Sequence, residues 1–245
     1  MRSLLIRERF KVVRAISVQP GYALLEAVDI SERETPSCLI NLFEGELLHR
    51  YARICTHIKK EDCPAFRGMF LEQGTLVAAF DSSSGEPIDR FFCRGDAWSW
   101  RDRLAYAGLL MHRVLSLANL PPEVSCAALM SDNLLVDPAN QSVNIRWMLS
   151  PMEEMNAREV ALMAADQMKK ILPRTLKAGP AERQFLDQLD AGMFRSVVAL
   201  FGCWRDAEQA IRAEREAFEH RNFISRGLIL LGRAIRRGFR RNRED

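Results

Sequence analysis

The chain has 245 residues, of which 48% are hydrophobic and 27% charged, and its net charge is +3. That length supports one large domain or two small lobes each burying a core, and the composition argues against any long disordered stretch. A charge this close to neutral points by itself to neither nucleic acid nor membrane.

The six cysteines, Cys38, Cys55, Cys63, Cys93, Cys126 and Cys203, include no C-x-x-C pair and are spread along the chain. Disulfide frameworks belong to much smaller secreted chains, so reduced thiols in a cytoplasmic protein are expected. His49, His57, His112 and His220 form no ligand cluster with them, so no metal is expected. The N-terminal apolar stretch is too short for a secretory signal. No apolar run approaches the ~20 residues that span a bilayer.

In chain order, Phe10–Ser17 and Tyr22–Val28 read as two strands joined by a turn at Pro20-Gly21. Cys38–Phe43 is a third strand. Over Glu46–Ile58, Leu47, Leu48, Tyr51, Ile54, Cys55 and Ile58 recur at helical spacing, which predicts an amphipathic helix. Phe66–Leu71 and Thr75–Phe80 are two more strands around a tight turn. Ser82-Ser83-Ser84-Gly85 reads as a flexible break. After it, Ser99 can cap a helix that runs to about Leu120, where Pro121-Pro122 stops it. Leu134–Val136 and Val143–Ile145 form a hairpin around Asp137-Pro138-Ala139-Asn140. Helices follow over Met155–Leu172, Ala181–Leu189, Met193–Arg215 and Ser225–Arg241. The chain thus divides into a small strand lobe with one helix (1–85), a mostly helical lobe (86–222) and a basic tail (223–245).

This order of elements resembles the protein-kinase fold, an α+β architecture with an antiparallel-sheet N-lobe and a helical C-lobe. Ile16 to Tyr22 sits where kinases carry the glycine-rich loop. Leu39-Ile40-Asn41 sits where the third strand carries its lysine. Asn133 followed by Leu134-Leu135-Val136-Asp137 resembles the strand after the catalytic loop. Val143 to Trp147 resembles the strand leading to the metal-binding aspartate. Met155–Leu172 resembles the central C-lobe helix, with Glu159 in place of an aspartate that can anchor the catalytic loop. The activation segment is expected to be short or missing.

The resemblance also implies which groups the chemistry would need, and the chain departs from them. Ser17, Gln19 and Tyr22 stand where glycines would let backbone N–H groups approach phosphates. Asn41 replaces the lysine that pairs with phosphate, and Tyr51 stands where its glutamate partner is expected. Ala128 takes the place of the catalytic aspartate, a loss worth about 10²–10⁴ in rate for a general base. Trp147 takes the place of the Mg²⁺-binding aspartate, and an indole cannot ligate a hard cation. Asn133 alone survives as a ligand type. Both Asn133 and Asp137 also suit loop-closing and turn roles. The expectation is a pseudokinase that acts by binding a protein partner, with no ATP or other cofactor. An atypical enzyme using Asp132 or Asp137, and a plain α+β interaction domain, are the alternatives.

In the tail, Ile224, Leu228, Leu231, Ile235 and Phe239 recur at three to four residues among Arg226, Arg233, Arg236, Arg237, Arg240, Arg241 and Arg243. This is a basic amphipathic helix. Its apolar stripe either packs on the helical lobe or lies on an anionic membrane surface at the cytoplasmic face. No aromatic platform accompanies it, so nucleic acid is not expected.

Overall fold

The structure is a computed structural model. It describes residues 5–32, 37–93 and 95–244, with side chains for all of these except 223 and 236–244. The chain has a bilobal α+β fold. A six-stranded antiparallel sheet is built from β1 (Leu5–Ile6), β2 (Phe10–Gln19), β3 (Tyr22–Asp29), β4 (Ser37–Phe43), β5 (Phe66–Glu72) and β6 (Thr75–Asp81), in the order β1-β2-β3-β4-β6-β5. Helix α1 (Glu46–Thr56) packs on β4 and β6.

Alternation along β4 explains why its sequence is almost uniformly apolar. Leu39 and Phe43, flanking Asn41, belong to one core with Tyr22, Leu24, Leu76, Ala78 and Phe80. Cys38 and Ile40 point to the other face, against Leu25, Ala27, Val77 and Ala79. Both faces of the sheet are therefore covered, and neither can be polar. Two bulges in β2, at Val12/Arg14 and Ala15/Ser17, strengthen its twist. At one edge Asp29 is fully buried. It accepts from Arg9 and Ser31 and pairs with Arg67, which also binds Asp81. Burial opposes ionisation of Asp29, but the hydrogen bonds from Arg9 and Ser31 outweigh it and hold the carboxyl far below the usual range.

The helical lobe contains β7 (Glu86–Pro87), α2 (Ile88–Phe91), α3 (Trp100–Ser116), α4 (Pro122–Ala128), β8 (Leu134–Asp137), β9 (Ser142–Ile145), α5 (Ala157–Ile171), α6 (Pro180–Ala191), α7 (Val197–Glu219) and α8 (Phe223–Glu244). Capping boxes start α3 (Ser99 with Asp102) and α5 (Asn156 with Glu159). Helices α3, α5, α6 and α7 pack together, and α4 lies against α5.

Three expectations need correction. The helix after Ser99 ends at Ser116, and the prolines start a new helix instead of ending an old one: Pro122 is at the first turn of α4, where its missing N–H costs nothing. Helix α7 starts at Val197, since the Ser196 side chain caps it, and not at Met193. The 82–85 segment is not loose. Ser84 Oγ donates to Asp137, Asn144 donates to the Ser84 carbonyl, and β7 joins the β8–β9 hairpin as a third strand. Gly85 has φ +122°, and a Cβ there would come within 2.9 Å of the Val136 carbonyl oxygen, so only glycine fits. Finally, of the two organisations the length allows, the one with a single separate core in each lobe is not the one formed, although a second small core covers the other face of the sheet. One continuous core runs from Tyr22 and Phe80 of the sheet through Leu110 and Met111 of α3 to Leu200 and Trp204 of α7.

Candidate functional site

The junction between the lobes is organised around three residues, Trp147, Met148 and Leu149, that leave β9. From the sheet side, Asn41 on β4 reaches them. It is fully buried, its Nδ2 donates to the Trp147 carbonyl at 3.0 Å, and its Oδ1 accepts from the Leu149 N–H at 2.8 Å. The same Oδ1 accepts from the Tyr22 hydroxyl at 2.9 Å. From the helical side, Asn133 does the same job. Its Nδ2 donates to the carbonyls of Ala127 at 2.7 Å and Met148 at 2.9 Å. Its Oδ1 is buried and accepts nothing from the described residues. One short segment is thus clamped from both lobes by two asparagines.

Aromatic rings fill the space around this clamp. The Trp147 indole is buried and stacks on Phe80, with centroids 5.6 Å apart. Tyr51 of α1 stacks on Phe43 at 4.0 Å, and its hydroxyl reaches the Ser150 carbonyl at 3.4 Å. Tyr22 leans on Phe43 at 5.3 Å. Burial drives the Tyr22 phenol far above its ordinary range, so it stays a neutral donor to Asn41. Apart from Asn133 Oδ1, the polar atoms of the two tyrosines and the two asparagine amides are paired with neighbours, and none of these side chains is charged.

The β2–β3 connection is closed as well. It is a two-residue turn in which Gln19 pairs with Tyr22 across Pro20-Gly21. Proline followed by a glycine at φ +71° suits a type II turn. The Gly21 carbonyl accepts from the Glu44 N–H at 2.9 Å, which ties the turn to the start of α1. Ser17 lies on β2 opposite Leu24, away from any loop.

Three solved structures match the fold of this chain, all of the kinase domain of Mycobacterium tuberculosis PknI. The double mutant matches at 11% identity with a TM-score of 0.54, covering 88% of this chain and 99% of that domain. A single mutant matches at 10% identity and TM-score 0.55, covering 87% and 98%. The domain without these substitutions matches at 10% and 0.54, covering 87% and 99%. The fold is that of a protein kinase domain. No protein-family model and no curated protein matches the chain.

Against that fold, the positions singled out in the sequence can be located. Tyr22, Asn41, Tyr51, Asn133 and Trp147 converge at the junction. Ser17 and Gln19 do not, because their strand ends in the closed turn. Ala128 does not sit in a loop: it is the buried last residue of α4, which occupies the stretch read as catalytic loop. The anchoring role open to Glu159, which reads equally as a solvent-facing helix glutamate, is taken by another residue. Glu159 is half-buried and its carboxylate is engaged in the α5 capping box, while Gln167, two turns on, is buried and donates to the Leu129 carbonyl at 2.9 Å. Two signals were available for Gln167: it is the one uncharged amide on an apolar face of α5, and polar groups on such faces need partners. Residues 146–156 alone separate β9 from α5, which leaves a short activation segment.

Of the two spare acids, Asp137 binds the Ala139 and Asn140 N–H groups, the Asn140 amide and Ser84 Oγ. Those hydrogen bonds, led by Asn140, hold its carboxyl below the ordinary range. It fixes the hairpin turn. Asp132 is exposed. Three cavities lie away from the junction: about 1130 Å³ beside Leu176, Asp187 and Arg233, about 530 Å³ beside Trp98 and Arg215, and about 370 Å³ beside His57 and Pro121.

In the tail, Arg226 and Arg233 are half-buried on the side of α8 turned to the body. Arg233 donates to the Leu176 carbonyl and lies over the Phe218 ring. The side chains of Arg236, Arg237, Arg240 and Arg241 lie outside the described residues.

Proposed function

We propose that the chain is a pseudokinase, a kinase-like domain that binds a protein partner and transfers no phosphoryl group. One observation carries this reading: the position expected to hold the phosphate-pairing lysine is Asn41, and its hydrogen bonds are spent on Tyr22, Trp147 and Leu149. Mg²⁺-ATP does not fit such a junction. It needs a cation against the phosphates and oxygen ligands on the metal. Here the rings of Tyr22 and Trp147 and two internally bonded asparagines stand in their places.

What remains for such a domain is recognition. Beyond its short pairing with β1, strand β2 borders no other strand on its outer side among the described residues, and Val13, Ile16 and Val18 on it are exposed. A free edge with apolar side chains suits strand addition by an extended segment of a partner.

The test is a thermal melt with ATP, with and without Mg²⁺, beside a phosphotransfer assay. A nucleotide at a hundredfold excess over its Kd adds about 2.7 kcal/mol, a shift of several degrees here. No shift and no transfer are expected. A Mg²⁺-dependent shift, or transfer abolished by Asp132→Asn without loss of stability, would overturn the reading in favour of an atypical enzyme.

A further inference from the structure

Helix α8 carries a feature that the kinase-like fold does not use. Ile224, Leu228, Leu231 and Ile235 are 73%, 65%, 59% and 51% exposed. At 3.6 residues per turn they share about 60° of arc. The half-buried residues of the same helix, Ser225, Arg226, Ile229, Leu230 and Arg233, lie on the opposite side, toward the body. The stripe therefore does not pack on the helical lobe. It points away from it.

The charge of the helix says what covers the stripe. From Asn222 to Arg243 there is no acidic residue, and between Arg236 and Arg243 five of the eight residues are arginine. A second copy would bring two such runs together, and the apolar seam is short for a coiled coil, which needs about three heptads or more. A partner protein would need a long acidic groove with an apolar floor. An anionic bilayer offers both features at once: an acyl region for the isoleucines and leucines, and headgroups for the arginines. Among the described residues no helix is long and apolar enough to cross a membrane, and α8 with its seven arginines can lie on a surface without spanning it.

We propose that α8 docks the protein on an anionic membrane surface, with Ile224, Leu228, Leu231 and Ile235 inserted at the headgroup boundary and the arginines from Arg236 onward supplying the charge. The stripe faces away from the domain, so the bilayer and the kinase-like body occupy opposite sides of one helix. This does not depend on whether the domain is an enzyme.

The experiment is vesicle flotation of the full chain, using phosphatidylcholine vesicles with and without phosphatidylglycerol, at low and high salt. The expected result is binding that requires phosphatidylglycerol and weakens as the screening length falls from about 10 Å at 0.1 M to about 3 Å at 1 M salt. Leu228→Gln with Leu231→Gln should weaken it at least about tenfold without changing the melting temperature, since both side chains are already exposed. Arg236→Gln with Arg237→Gln should weaken it by a similar factor. Five results would overturn the proposal, four of them from vesicles and light scattering. Those four are no binding to anionic vesicles, equal binding to neutral ones, full binding by the leucine variant, and a stripe-dependent dimer by light scattering with no vesicle binding. Tighter binding to an oligonucleotide that survives the leucine changes would likewise assign the arginines to nucleic acid and reject the bilayer.

Discussion

Replacing Asn41 by leucine is the sharpest probe of how the lobes are joined. Leucine keeps the γ-branched shape of asparagine with bulkier methyl groups in place of the amide O and NH2, so the change opens no cavity and adds some crowding. It does strip three buried groups of their partner: the Tyr22 hydroxyl, the Leu149 N–H and the Trp147 carbonyl. A buried polar group left unpaired costs about 1–3 kcal/mol. The three share one site and can relax together, so a total of about 3–5 kcal/mol is expected, below the sum of maxima. About 1 kcal/mol moves the melting temperature of a chain this size by ~2–4 °C, which gives a drop of roughly 6–20 °C. Urea melts should return the same loss with an unchanged slope. Tyr22→Phe alone should cost about 1 kcal/mol. In the Asn41→Leu background it should be neutral or stabilising, because the hydroxyl has already lost its acceptor. A drop under about 3 °C for Asn41→Leu, or additive costs in the double variant, would refute the claim that this amide holds the lobes together.

Trp147→Ala removes the indole stacked on Phe80 and should cost about 3–5 kcal/mol, read from the same urea melts. The Asp29 carboxyl ionises far below the ordinary carboxylate in the fold, so the unfolded chain takes up its proton first as acid is added. Its contribution is whole above the unfolded pKa of about 4 and is lost as pH falls through and below it. Asp29→Asn should therefore lower stability at neutral pH and flatten the acid limb of the stability curve, as urea titrations across pH will show. Burial pushes the thiols of Cys38 and Cys63 up to about 11 and those of Cys55 and Cys126 up to about 12, while Cys93 is exposed. A maleimide should label Cys93 first in the native protein, and mass spectrometry of the digest will identify the site.

Much of the architecture was legible because local pattern and tertiary role agree. The run Leu47, Leu48, Tyr51, Ile54, Cys55 is apolar on one helical face, and that face is the one α1 buries. Ser99 and Asp102 mark a helix start in sequence and form the capping box in space. Alternation alone does not mark β4, since both its faces are covered, yet its short dense apolar run, with Ile40 and Phe43, still gives a strand. The segment before Asn133 was not legible. Ser125-Cys126-Ala127-Ala128 has no strong preference, and Pro122 reads equally as a stop or a first turn until neighbours decide. The role of Asn41 was legible only as a loss. Its sequence position says that a lysine is missing, but the three groups it satisfies are supplied by residues 19 positions before it and more than 100 after it. Direction was hidden too. The period of α8 shows that an apolar stripe exists, while only the packing of Arg226 and Arg233 shows which way it points.

The double asparagine clamp has a consequence for how the molecule meets other molecules. Where two lobes can open and close about a hinge, part of a ligand's binding energy goes into setting the angle between them. Here the same core and the same three-residue segment belong to both lobes, so that angle is set by folding. A partner that touches both lobes is therefore expected to meet them at one set angle. Its affinity is not divided by the fraction of molecules in a competent state, and its association should be a single step with no slow closure behind it.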